Sequence, residues 1–157
     1  MSAADRGETE KRQTRHRYLV LRWLVLFSPL FVPWVVIRTE QTTLLYPWGS
    51  VVLESAHLVW LPTFFEQPGP TPQHLRSWPI GTAWYLLAVV WSAGWRFGAD
   101  QRVTAGLFAL LAFTVFSVSS GFGIDPNTTA VPLGSVLALV IAGWIIFGHP
   151  SSDVGEK

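Results

Sequence analysis

The chain has 157 residues, half of them hydrophobic and 13% charged, with a mean hydropathy of +0.34 and a formal net charge of +1. A soluble domain must cover its surface with polar groups, and about a quarter of its residues are ordinarily charged; this chain falls short of that, and its near-zero net charge removes any bulk case for nucleic-acid binding. The lack of cysteine excludes disulfides, thiolate catalysis and cysteine-ligated metal or iron–sulfur centres.

Residues 1–17 are polar and predominantly basic, and read as a cytoplasmic tail. Residues 18–37 form the first apolar run. A hydrocarbon core of about 30 Å takes about 20 helical residues, so the run is long enough to span it. Arg22 lies one turn in, where its stem reaches back toward the headgroups. Pro29 and Pro33 are breaks that membrane helices tolerate. The rival reading, a cleaved signal peptide, calls for a shorter apolar run and a small-residue cleavage site, and Arg38-Thr39-Glu40 follows instead.

Residues 38–77 read as an outer loop. Within 42–65, Glu54 and His57 occupy the centre and Pro47 and Pro62 interrupt both ends. An acidic side chain at mid-membrane costs roughly 2.5–3.5 kcal/mol on insertion scales, and tryptophans such as Trp48 and Trp60 suit an interface. The expectation is a turn at Tyr46-Pro47-Trp48-Gly49, then a short interfacial helix over 50–65, followed by a Pro/Gly-rich loop. Three more uncharged runs follow at 78–95, 103–122 and 130–148. Pro79 and Pro132 stand near helix starts, Asp100 is placed to cap the third span, and Gly148 closes the fourth. Residues 149–157 read as a second cytoplasmic tail.

The expected fold is therefore all-α: a multi-pass cell-membrane protein of four transmembrane helices plus one interfacial helix. Basic residues orient it. Four spans place Arg6, Lys11, Arg12, Arg15, Arg17, Arg22, Arg96, Arg102 and Lys157 on the cytoplasmic side and only Arg38 and Arg76 outside, so both termini are cytoplasmic.

The motifs Tyr46-Pro47-Trp48-Gly49, Trp78-Pro79-Ile80-Gly81, Asp100-Gln101-Arg102-Val103-Thr104-Ala105-Gly106-Leu107 and Val131-Pro132-Leu133-Gly134 stand in an order that resembles an uncharacterised family of small haloarchaeal integral membrane proteins, over roughly residues 18–147. The resemblance implies a four-helix membrane protein and no activity, so no catalytic residue is carried over.

Candidate sites are few. Glu54 and His57, three apart, would share a helix face. Glu-x-x-His is half of the ligand set of a di-iron carboxylate bundle, and the second half is missing. They read either as a hydrated interfacial pair or as a metal- or proton-responsive site with His74 as third partner. Thr104, Thr114, Ser117, Ser119 and Ser120 give the third span a polar side, read as backbone hydrogen bonding or as a solute path. Ala130, Gly134, Ala138 and Ala142 recur every four residues, and Gly94 and Gly98 form a Gly-x-x-x-Gly. Small residues let helices approach, within the bundle or against a partner. Asn127-Thr128-Thr129 is a glycosylation sequon. No histidine falls mid-span to ligate a haem, and no cofactor is called for. The expected partners are the lipid bilayer and a membrane protein or further copies of the chain. The expected role is a non-enzymatic accessory or assembly component. The alternatives are an oligomeric solute or ion permease, or an outer-surface enzyme built on Glu54 and His57.

Overall fold

The computed structural model describes residues 13, 17, 19–66, 72–94, 99–123 and 127–148. Its elements in chain order are α1 (Leu19–Leu30, closing in a 3-10 turn, Ser28–Leu30), β1 (Val35–Arg38), β2 (Thr42–Tyr46), β3 (Gly49–Val52), β4 (His57–Trp60) and α2 (Leu61–Glu66). A 3-10 turn at Gln73–Ser77 leads to α3 (Trp78–Ala93), α4 (Gln101–Phe122), β5 (Thr129–Val131) and α5 (Leu133–Phe147).

The all-α, four-span expectation is overturned. The five strands form one antiparallel sheet in the order β4-β3-β2-β1-β5. Among the described residues, α4, with 22 residues, is the one helix long and apolar enough to cross a membrane by itself; α1 and α5 are shorter. The first apolar run stops being helical near Pro33, where Val35-Val36-Ile37 peels off as β1. Proline ends a helix, and the stiff β-branched side chains that follow pack better on a pleated strand. The fourth run likewise begins as strand β5 and turns helical only after Pro132.

The interfacial helix expected over 50–65 is also replaced, by β3, β4 and the short α2. The turn at Tyr46-Pro47-Trp48-Gly49 does form, as the two-residue connection of the β2–β3 hairpin, with Tyr46 opposite Gly49. Proline presets the backbone angle that such a turn needs. Val52 faces His57 across the next hairpin, whose four-residue turn ends on Ala56 at a positive φ of 49°. β1 and β2 pair from Val35↔Leu45 to Arg38↔Thr42. β5 returns from far along the chain to pair with β1, Val36 opposite Val131 and Arg38 opposite Thr129.

Asp100 caps α4 as its position implied, accepting the Arg102 N–H at 2.8 Å. α4 packs against both α3 and α5. Its buried side, including Ala105, Phe108, Leu111, Ala112, Val115 and Val118, forms the centre of one core. That core continues into the sheet through Val35, Ile37 and Leu45. β1 alternates buried and less buried positions, as expected for a strand with one face on the core.

Candidate functional site

The sheet is fastened to the helices by a set of tryptophan and hydroxyl hydrogen bonds. Trp34 Nε1 donates to the Pro29 carbonyl at 3.1 Å, Trp48 Nε1 to Leu30 at 3.0 Å, and Trp78 Nε1 to Tyr46 at 2.9 Å. Thr82 Oγ1 donates to the Pro47 carbonyl at 2.8 Å and Ser119 Oγ to Ala130 at 3.3 Å. The first four occupy backbone oxygens at a helix end or a strand turn, and the last ties β5 to α4. Indole suits the task because it pairs a large apolar body with one N–H donor.

Trp34 is central to this junction. It is buried, its ring meets Tyr85 edge-on at 6.2 Å, and its carbonyl accepts the Gly134 N–H at 2.9 Å. A side chain at Gly134 would come within 2.7 Å of Trp34 Cα, so only glycine admits the start of α5 here. Trp34, Val35, Leu45, Trp78, Gly81, Thr114, Val115 and Val118 surround a small apolar void. The Thr114 hydroxyl is turned away to the Leu110 carbonyl, 2.8 Å distant, so the void offers a water little to bond.

The helical layer carries its polar groups inward. Arg22 is buried on α1 and donates from Nη2 to Ser92 Oγ on α3 at 2.9 Å. Tyr85 donates to the Leu26 carbonyl at 3.1 Å and Ser135 to that of Ala112 at 2.9 Å. Outward, the same helices are apolar. Val90 on α3 is 68% exposed, Val140 on α5 62% and Phe147 84%. Leu24, Leu86, Phe113, Phe116, Val136 and Leu139 are exposed with them. A surface helix of a water-soluble domain ordinarily turns its polar residues outward, the reverse of this arrangement.

The residues singled out from the sequence land as follows. Glu54 and His57 are not on a helix. Glu54 lies in the β3–β4 turn, and both its carboxylate oxygens accept the Thr42 N–H, at 2.8 and 2.9 Å. This bond, followed by the one to its own backbone N–H, holds the carboxyl below its ordinary range. His57 opens β4 and is exposed. His74 is elsewhere, in the 3-10 turn, with its ring edge-on to Phe122 at 4.4 Å. Its Nε2 is buried and meets no hydrogen-bond partner. Among the described residues, no three of His, Cys, Asp or Glu converge as metal ligands.

Thr114, Ser117 and Ser120 bond carbonyls of their own helix four residues back, Ser119 bonds the sheet, and Thr104 is buried. Gly134, Ala138 and Ala142 are buried on α5, while Ala130 belongs to β5. Gly94 follows the end of α3 beside Ala99; Gly98 lies outside the described residues. Asn127 is exposed in the turn before β5. The tryptophan staples were missed by sequence reasoning. Their signal was the pairing of an indole with a nearby proline or turn, as in Pro33-Trp34, Pro47-Trp48 and Trp78-Pro79, but the acceptors are set by the tertiary fold.

These features define a class: an apolar helical layer centred on α4 and capped at one end by a small antiparallel sheet. The profile of one family, described as a domain of unknown function (DUF8050), matches residues 1–151, and the chain belongs to that family. No curated protein and no solved structure matches it.

Proposed function

We propose that this protein resides in the cell membrane, with its helical layer in the bilayer and its sheet on the outer side, and serves there as a non-enzymatic accessory or assembly component. The observation that supports this reading is the direction of polarity in the helical layer. Arg22, Ser92, Tyr85 and Ser135 turn inward to one another and to backbone carbonyls, while the outward positions are apolar. A water-soluble helix does the reverse. The side assignment is supported by charge. The sequence ahead of α1 carries Arg6, Lys11, Arg12, Arg15 and Arg17, and Arg102 stands at the end of α4 away from the sheet, whereas Arg38 sits on β1. Partner contacts would use the exposed apolar faces of α3 and α5, because the small side chains of α5 are occupied against α4.

The test is fractionation of cells expressing the tagged protein. The protein sediments with membranes, resists alkaline carbonate and is released by detergent. Recovery in the carbonate supernatant would overturn the reading. Purification in mild detergent then addresses the role: a stoichiometric membrane partner supports an accessory component. A homo-oligomer without partners would move the assignment to a permease, and liposome flux would follow.

A further inference from the structure

The sheet has a direction. β1 leaves the helices beside Trp34 and ends at Arg38, and β2 returns from Thr42 to Tyr46. β3 leaves after Trp48 and ends at Val52, and β4 returns from His57 to Trp60. The register aligns these ends: Tyr46 faces Gly49 and Gly49 faces Trp60, while Arg38 faces Thr42 and Val52 faces His57. One end of the sheet is thus an aromatic row. Tyr46 stacks on Trp48 at 4.8 Å and Trp48 meets Trp60 at 5.6 Å, with Phe31 exposed just before the row. The other end exposes Arg38, Glu40, Gln41, Glu54 and His57, along with Leu53.

Two magnitudes bracket the depth of this row. The 16 residues of α3 and 15 of α5 reach about 24 and 22 Å. A hydrocarbon core is about 30 Å thick; the 22 residues of α4 cover it at about 33 Å, while α3 and α5 fall short by roughly 6–8 Å, about two residues of strand. Trp60 and Leu58, on the same face of β4, are both exposed over that distance. In the opposite sense, β4 is an edge strand. Its unpaired backbone groups cannot enter hydrocarbon, where each would cost several kcal/mol.

We propose that the aromatic row formed by Phe31, Tyr46, Trp48 and Trp60 lies in the headgroup layer of a lipid bilayer, and that the polar end of the sheet stands in water. This rests on the membrane reading above. The short helices draw the base of the sheet to the membrane, and the unpaired edge of β4 stops it at the interface. Indole and phenol rings fit that layer, having an apolar body and a polar tip.

The chain has no native cysteine, so single cysteines at positions 140, 31, 60 and 54 can carry spin labels in lipid nanodiscs. Collisions with oxygen, enriched in hydrocarbon, and with a water-soluble nickel chelate, excluded from it, report depth. The oxygen-to-nickel ratio falls stepwise from 140, through 31 and 60, to 54. A label at 60 as open to nickel as the one at 54, with 140 still oxygen-rich, would overturn the interfacial row and leave the membrane reading standing. A nickel-accessible 140 would overturn both. Protection of 60 from both reagents would mean that a second copy or another protein covers the row, which also overturns the proposal. Should W60C fail to fold, L58C carries the same test two residues along the same face.

Discussion

The helical layer and the far end of the sheet differ in what they bury and what they expose. In the helices, Arg22 and Ser92 are buried against each other while Val90 and Phe147 face out. In the sheet, Val35 and Leu45 are buried and Arg38, Glu40 and Glu54 face out. One chain therefore follows two rules of inside and outside. The boundary between them runs through Trp34, Trp48 and Trp78, whose indole N–H groups bond backbone carbonyls where the helices meet the sheet.

The contrast is broken most severely where the two layers touch. Gly134→Leu drives a side chain into Trp34, with an expected loss of about 3 kcal/mol or more, since overpacking a filled site typically costs 1–3. Gly143 is on the same helix with open space around it. Gly143→Ala is expected to stabilise by about 0.5–1 kcal/mol through helix propensity. Thermal unfolding of both variants in detergent checks the pair; equal shifts would show that the close approach at Trp34 does not matter.

A second pair compares tryptophans. Trp34→Phe leaves the buried Pro29 carbonyl unbonded and should cost about 1–3 kcal/mol. Trp60 is 57% exposed and donates no hydrogen bond among the described residues, so Trp60→Phe should stay within about 0.5 kcal/mol. Comparable destabilisation by the two would show that Trp60 is packed as firmly as Trp34. The buried Nε2 of His74 carries no bond, and His74→Phe removes that polar atom from beside Phe122. A rise in stability of about 1 kcal/mol is expected; a fall would show that the imidazole is satisfied in solution.

The smallest effect belongs to the polar end. Glu54 has its folded pKa lowered by the Thr42 N–H, so its contribution is present above the ordinary carboxylate pKa and is lost as pH falls through the lower, folded value. Amide exchange at Thr42 should accelerate in acid below the usual carboxylate range, relative to neighbouring strand amides. In Glu54→Gln that pH dependence should vanish; its persistence would assign the effect to another group.

How much of this was legible follows from which residues carry local information. Asp100 caps α4 by a contact two residues away, and Pro47-Trp48 turns the chain within four, so both could be read directly. The small residues Gly134, Ala138 and Ala142 fall among the buried positions of α5. The sequence suggests helix where β1 forms because Val35-Val36-Ile37 continues an apolar run without interruption, and length alone cannot divide such a run into helix and strand. Glu54 and His57 looked like a helical pair for the same reason: a spacing of three is meaningful only once the helix is given, and here the pair straddles a hairpin turn.

The amino-acid sequence by itself determined that much of the outward surface would be apolar, because too few charges exist to cover it, and that the charges would collect at the ends of the chain, in residues 38–77 and around residues 96–102. It also placed the turns and the caps, whose geometry is closed by neighbours in the chain. The tertiary structure alone decided that β5 returns across more than 90 residues to pair with β1, that Arg22 meets Ser92 70 positions away, and that Trp78 reaches Tyr46. Those contacts join segments whose separate sequences are compatible with either helix or strand. What selects between them is the burial of one sheet face and the satisfaction of each backbone oxygen at the junction, and neither exists until the distant partners are in place.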